Sequence, residues 1–149
     1  MKTIFKLKKL IKKQNLDAYI VPKNDEFFGE YAFPNRLKTI SNFSGSAGFA
    51  IITETLNYLF VDGRYLIQSK IESGKNFKIV EIPYVFPKNI LNNNKIKRIG
   101  YDPNIFTTST LKRYFGNEFQ LISVKKNLID LISLEKTKAN NSFFILSDK

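Results

Sequence analysis

The chain contains no histidine, no cysteine and no tryptophan, and a single methionine. Without cysteine there is no disulfide and no thiol nucleophile. Without histidine the commonest metal ligand and general base are missing. A hydrolytic metal site needs a cluster of fixed ligands and an open position for water, and the 13 Asp and Glu residues fall at no spacing that makes one. No apolar run approaches the roughly 20 residues of a membrane span. The basic start, Met1-Lys2-Thr3-Ile4-Phe5-Lys6, is broken by lysines and lacks the apolar centre of a signal peptide. A cytoplasmic protein is the simplest reading of these absences. Arginine is scarce as well: Arg36, Arg64, Arg98 and Arg113 are the full set, so the net charge of +11 is largely lysine. Arginine is the usual reader of phosphates and base edges. Lysine, asparagine and isoleucine are enriched together, which points to coding bias. Weak, salt-sensitive attraction to nucleic acid is expected, and a specific nucleic-acid function is not.

What is present suits one folded domain: 149 residues, 43% of them hydrophobic, are enough to bury a core. Residues 3–14 have helical periodicity, with Ile4, Leu7 and Ile11 on one face and lysines opposite. Continuous apolar runs at 18–21, 49–53 and 58–61 read as buried strands, the last two as an antiparallel hairpin. Residues 23–36 read as a loop with one helical turn, after which Asn35 caps a helix to Ile40 or Ser41. A helix follows from Tyr65 to Ser73, ended by Gly74, then a strand at 77–82 and a short helix at 88–92 before the exposed run Asn92-Asn93-Asn94. Strands at 98–100 and 119–124 flank a helix capped by Thr107 or Thr108 and ended by Gly116, and 127–134 is helical. The expected fold is α/β, a mixed parallel and antiparallel sheet flanked by helices on both faces. Residues 1–134 form the domain. Residues 135–149 read as a tail or linker, in which Phe143-Phe144-Ile145-Leu146 is a candidate strand.

Three polar segments interrupt the apolar pattern. Val21-Pro22-Lys23-Asn24-Asp25-Glu26 leads to Glu30-Tyr31. Adjacent carboxylates on a loop rarely converge on one atom, so Asn24, Asp25 and Glu26 read first as loop-tying groups, with oxygen-only coordination of calcium or magnesium the alternative. Gly45-Ser46-Ala47-Gly48 has the small residues of a phosphate cradle. It lacks the Lys-Ser or Lys-Thr and the following helix that such a cradle needs. A tight structural turn and an interface loop both remain open for it. In Asp62-Gly63-Arg64-Tyr65, Asp62 can cap the next helix and Arg64 is projected from a strand end, where α/β sheets place ligand crevices. Arg64 has two readings: a contact at a substrate entrance or interface, or an internal pair with Asp62, Glu26 or Glu30. The aromatics around these segments, Phe27 and Phe28 among them, include candidates for an exposed apolar patch.

In order and spacing the segments resemble the N-terminal domain of aminopeptidase P, the Xaa-Pro aminopeptidase, whose members read close to VPSNDEH…EY, GFTGSAG and TDGRYF. The likeness continues through Gly100-Tyr101-Asp102-Pro103 and Asn127-Leu128-Ile129-Asp130-Leu131-Ile132. Phe27 stands where the family usually has histidine. The resemblance implies a creatinase-like domain most similar to the first domain of the three-domain cytosolic class. Chemistry would then belong to a separate catalytic domain that binds manganese or zinc. This chain would be an accessory piece of a longer enzyme, without a metal of its own. Its implied partners are the following domains and a second subunit, not a membrane or nucleic acid. Asn24, Asp25, Glu26, Gly45, Ser46, Asp62, Arg64 and Tyr65 are the implied entrance or interface residues. A stand-alone interaction module is the competing expectation.

Overall fold

The computed structural model describes residues 2–29, 32–92 and 96–134. The order is α1 (Lys2–Lys13), β1 (Ala18–Pro22), α2 (Arg36–Ser41), β2 (Phe49–Thr53), β3 (Asn57–Val61), α3 (Leu66–Ser73), β4 (Lys78–Glu81), α4 (Pro87–Leu91), β5 (Arg98–Tyr101), α5 (Thr108–Phe115), β6 (Gln120–Ser123) and α6 (Leu128–Leu134). The expected tail, the candidate strand within it, Glu30-Tyr31 and most of the asparagine run lie outside the described residues.

The strands form one mixed sheet in the order β4-β3-β2-β1-β5-β6. β2 is antiparallel to both neighbours, and every other pairing is parallel. Side chains alternate across this sheet because the strand period is two. Tyr19, Val21, Ala50, Ile52, Leu59 and Val61 point into one core, shared with Leu7 of α1, Leu37 of α2 and Leu128 of α6. Ala18, Ile20, Phe49, Ile51, Tyr58 and Phe60 point into the other, closed by Leu91 of α4 and by Leu111 and Phe115 of α5. Both faces are covered, which is why the central strands read as unbroken apolar runs.

Local signals explain most boundaries. Asn35 Oδ1 accepts from the Lys38 amide at 3.0 Å and starts α2, and Asn42, at φ 65°, ends it. Thr107 caps α5. The loop expected over 23–36 holds one hydrogen-bonded turn, closed by the Phe28 amide on Asp25 O at 3.0 Å and braced by the Asp25 carboxylate, which takes the amides of Phe27 and Gly29. The helix expected from about Tyr65 to Ser73 is α3, Leu66–Ser73, preceded by a 3-10 turn over Gly63–Tyr65.

Candidate functional site

Because β2 alone runs backwards, its first residue lies at the same sheet edge as the last residues of β1, β3, β4, β5 and β6. The loops after β1 and β3 and the loop before β2 therefore meet at one edge, and these are the three polar segments. Open α/β sheets bind ligands at such edges.

Hydrogen bonds tie the three together. The Lys23 amide donates to Gly48 O at 3.0 Å. Ser46 Oγ and the Tyr65 hydroxyl are 2.7 Å apart, and Tyr65 packs edge-on against Phe43. Ser44 donates both its amide and its hydroxyl to Glu72 of α3, each at 2.7 Å. Burial pushes the Glu72 carboxyl up, but these bonds, the hydrogen bond from Gln68 and the charge of Lys38 together hold it below its ordinary value. The glycines have structural reasons. A Cβ on Gly45 would lie 2.2 Å from the Phe43 ring, and one on Gly48, at φ +145°, would lie 2.8 Å from Phe60 O.

Arg64 is paired inside its own segment. Its Nε and Nη2 donate to the Asp62 carboxylate at 3.1 and 2.8 Å, and its backbone amide donates to the same group. The guanidinium hydrogen bond is the main reason the Asp62 carboxyl sits below its ordinary value. The Arg64 side chain is nevertheless 75% exposed. Glu26 binds Arg36, at 2.7 Å, and this bond is the main reason its carboxyl is lowered, while Glu30, also expected as a partner of Arg64, lies outside the described residues.

Arg36 is the charged residue that sequence reading missed. It is only 5% exposed and also forms a two-pronged pair with Asp130 at 2.9 and 2.8 Å. These bonds, Asp130 first, raise the Arg36 pKa above its ordinary value. One signal was available: Arg36 opens a helix, where the dipole repels a cation. A cation there implies carboxylates close by.

The structure does not bring Asn24, Asp25 and Glu26 to a common point. Asn24 Nδ2 donates to Ile105 O at 2.9 Å, Asp25 accepts from loop amides, and Glu26 turns to Arg36. The Asp25 carboxyl is lowered, first by the Gly29 amide. A hard cation needs several oxygens directed at one centre, and these residues do not fit one. Among the described residues no group of three or more His, Cys, Asp or Glu is placed to hold a metal ion. Ser46 Oγ is engaged by the Tyr65 hydroxyl. A cleft of about 740 Å³ opens at the opposite end of the sheet, between Lys8 and Lys12 of α1, Asp17 and Glu54, away from the three segments.

Residues 4–131 match the Creatinase/Prolidase N-terminal domain family, and the chain belongs to it. It is 32% identical to a probable Xaa-Pro aminopeptidase P of Coprinopsis cinerea, with 99% of this chain and 26% of that protein covered. It is 33% identical to the one from Laccaria bicolor, with 97% and 24% covered. The chain thus spans about a quarter of the curated relatives it matches. Among solved structures, the Caenorhabditis elegans X-prolyl aminopeptidase, described as a cytosolic enzyme with a di-nuclear active site, superposes with a TM-score of 0.79 at 24% identity. That match covers 92% of this chain and 26% of the enzyme. The N-terminal domain of the Mycobacterium tuberculosis cytoplasmic peptidase PepQ superposes with a TM-score of 0.69 at 19% identity, over 88% of this chain and 98% of that one. The chain is the N-terminal domain of Xaa-Pro aminopeptidase-like proteins, and both solved structures share its fold.

Proposed function

We propose that this chain acts as the non-catalytic N-terminal domain of a metal-dependent Xaa-Pro aminopeptidase, bordering the substrate entrance and helping to seat neighbouring domains or subunits. The observation that carries the reading is the convergence of three polar segments on one sheet edge, with Arg64 exposed and oriented by Asp62. An exposed, pre-oriented guanidinium suits the carbonyl or carboxylate oxygens of a peptide. Tyr65, Ser46 and Gly45 hold the adjoining loop, and Asn24, Asp25 and Glu26 shape the first one. The parent enzyme would release an N-terminal residue preceding proline, with manganese or zinc bound in its catalytic domain. The cytoplasm is the proposed compartment. No described helix is long and apolar enough to cross a membrane.

The test grafts this chain in place of the matched quarter of the Coprinopsis cinerea relative and follows hydrolysis of an Xaa-Pro-Xaa peptide. Arg64→Ala is expected to lower kcat/KM about tenfold, equivalent to about 1.4 kcal/mol. In the 149-residue chain alone the same change should shift stability by less than about 1 kcal/mol, since the guanidinium is largely exposed. Unchanged hydrolysis with a large stability loss would assign Arg64 to the fold alone.

A further inference from the structure

Helix α3 carries apolar residues on both of its faces. Toward the body of the domain it presents half-buried Leu66, packed against the core, with Ser69 and Ser73, both buried, whose hydroxyls donate to Leu66 O at 3.1 Å and Ser41 O at 2.8 Å. Away from it, Ile67 and Ile71 are 77% and 80% exposed. A surface helix ordinarily turns its apolar stripe inward. Isoleucine is also a weak helix former, so propensity does not explain two of them on the wet side. Single exposed apolar residues are ordinary. An i, i+4 pair makes a continuous ridge, and here the ridge lies away from the face that Leu66, Ser69 and Ser73 already turn to the core.

The surroundings of the ridge say what covers it. Lys70, three residues after Ile67, and Lys75, four after Ile71, are exposed. The carboxylates nearest in sequence are engaged elsewhere, Glu72 by Ser44 and Asp62 by Arg64. A second copy laid face to face would set lysine against lysine, so the ridge is not self-complementary. It also continues from Arg64, three residues before Ile67, and hence from the edge that carries the three segments.

We propose that the outward face of α3, Ile67 and Ile71 rimmed by Lys70 and Lys75, is the surface on which this domain docks another folded domain of the parent enzyme, one offering an apolar depression edged with carboxylates. The proposal rests on the reading of the chain as part of a longer enzyme. It names the face that makes the contact, which is separate from the role given to Arg64.

The test uses the 149-residue chain and the graft described above, each carrying Ile67→Ser with Ile71→Ser. In the chain alone the melting midpoint should stay within about 2 °C, as both side chains already lie in water. In the graft, proteolytic cleavage at the junction should rise about tenfold, because cleavage tracks the population of the undocked form. Lys70→Glu with Lys75→Glu should reproduce the rise, more weakly at high salt. Unchanged cleavage in both variants overturns the proposal. A dimer of the free chain that the isoleucine changes dissolve would assign the face to a second copy. Isoleucine-dependent binding to phosphatidylserine vesicles would assign it to a membrane. Either result also overturns the proposal. Arg64→Ala separates the two ideas, since it should lower hydrolysis without raising junction cleavage.

Discussion

Arg36 and Asp130, 94 residues apart in sequence, meet through two hydrogen bonds of 2.9 and 2.8 Å, and Glu26 closes on the same guanidinium at 2.7 Å. The contact joins the first turn of α2, the first turn of α6 and the loop after β1. Arg36 is buried while both acids are partly exposed. Replacing it by methionine leaves two carboxylates without their cation. The expected loss is about 3 kcal/mol, at the lower end for a broken buried pair because the acids can be hydrated. Urea unfolding measures it. A loss below about 0.5 kcal/mol would mean that the pair contributes no more than a surface bridge.

Stability should fall with acid, and Glu26 should account for part of the slope. Its carboxyl is held low chiefly by the Arg36 hydrogen bond, as Asp62 is by Arg64. A carboxyl whose folded pKa is depressed binds its proton more readily when unfolded. Its contribution is therefore complete above the ordinary carboxylate value of about 4 and disappears as pH falls through the lower folded one. Urea midpoints taken between pH 6 and pH 2 should drop less steeply for Glu26→Gln than for the wild type. Parallel curves would refute the assignment.

Gly45→Ala should destabilise the domain by about 2 kcal/mol, since overpacking costs roughly 1–3. The added methyl would lie 2.2 Å from the fully buried Phe43 ring. Phe43→Leu is costly alone but removes the obstructing ring atoms. The two changes together should cost less than their sum, a coupling that a double-mutant cycle reads directly. Strict additivity would place the strain elsewhere.

The purified chain should release no N-terminal residue from an Xaa-Pro-Xaa peptide in manganese, cobalt or zinc. Those ions should also leave its melting midpoint unchanged, because a ligand stabilises only what it binds. The reasons are the missing histidine and the divergence of Asn24, Asp25 and Glu26. Hydrolysis above a control preparation, or a metal-dependent rise in midpoint, would contradict this.

What the sequence disclosed was what is encoded locally. Val21, Ile51 and Phe60 sit in strands covered on both faces, so apolar continuity located β1, β2 and β3 within a residue. Asn35 and Thr107 announced their helices through side-chain caps whose partners lie three residues away. The hidden features have distant or geometric causes. Arg36 finds Asp130 across most of the domain, and nothing near either residue names the other. Arg64 stood beside its partner Asp62, yet spacing alone could not decide among Asp62, Glu26 and Glu30. The isoleucines of α3 fell in a stretch correctly read as helix. Their outward placement depends on where Ser69 and Ser73 pack, which a short helix with mixed periodicity does not reveal.

The lone reversed strand also sets a timetable. β2 pairs with β3 across a tight turn and with β1 across the loops and α2, whereas β5 must travel from far along the chain to lie beside β1. Closing short loops costs less entropy than closing long ones. The β1–β2–β3 meander is therefore expected to condense first, with Arg36 solvated until α6 delivers Asp130. Pulse-labelled amide exchange during refolding would show it as earlier protection at Ile51 and Leu59 than at Ile99. Simultaneous protection would indicate a single concerted collapse. In the first case the segments before β2 and after β3 take shape before the domain is closed, while the loop after β1 waits for Ile105, whose carbonyl accepts from Asn24, and for Asp130, which holds the Arg36 that Glu26 binds.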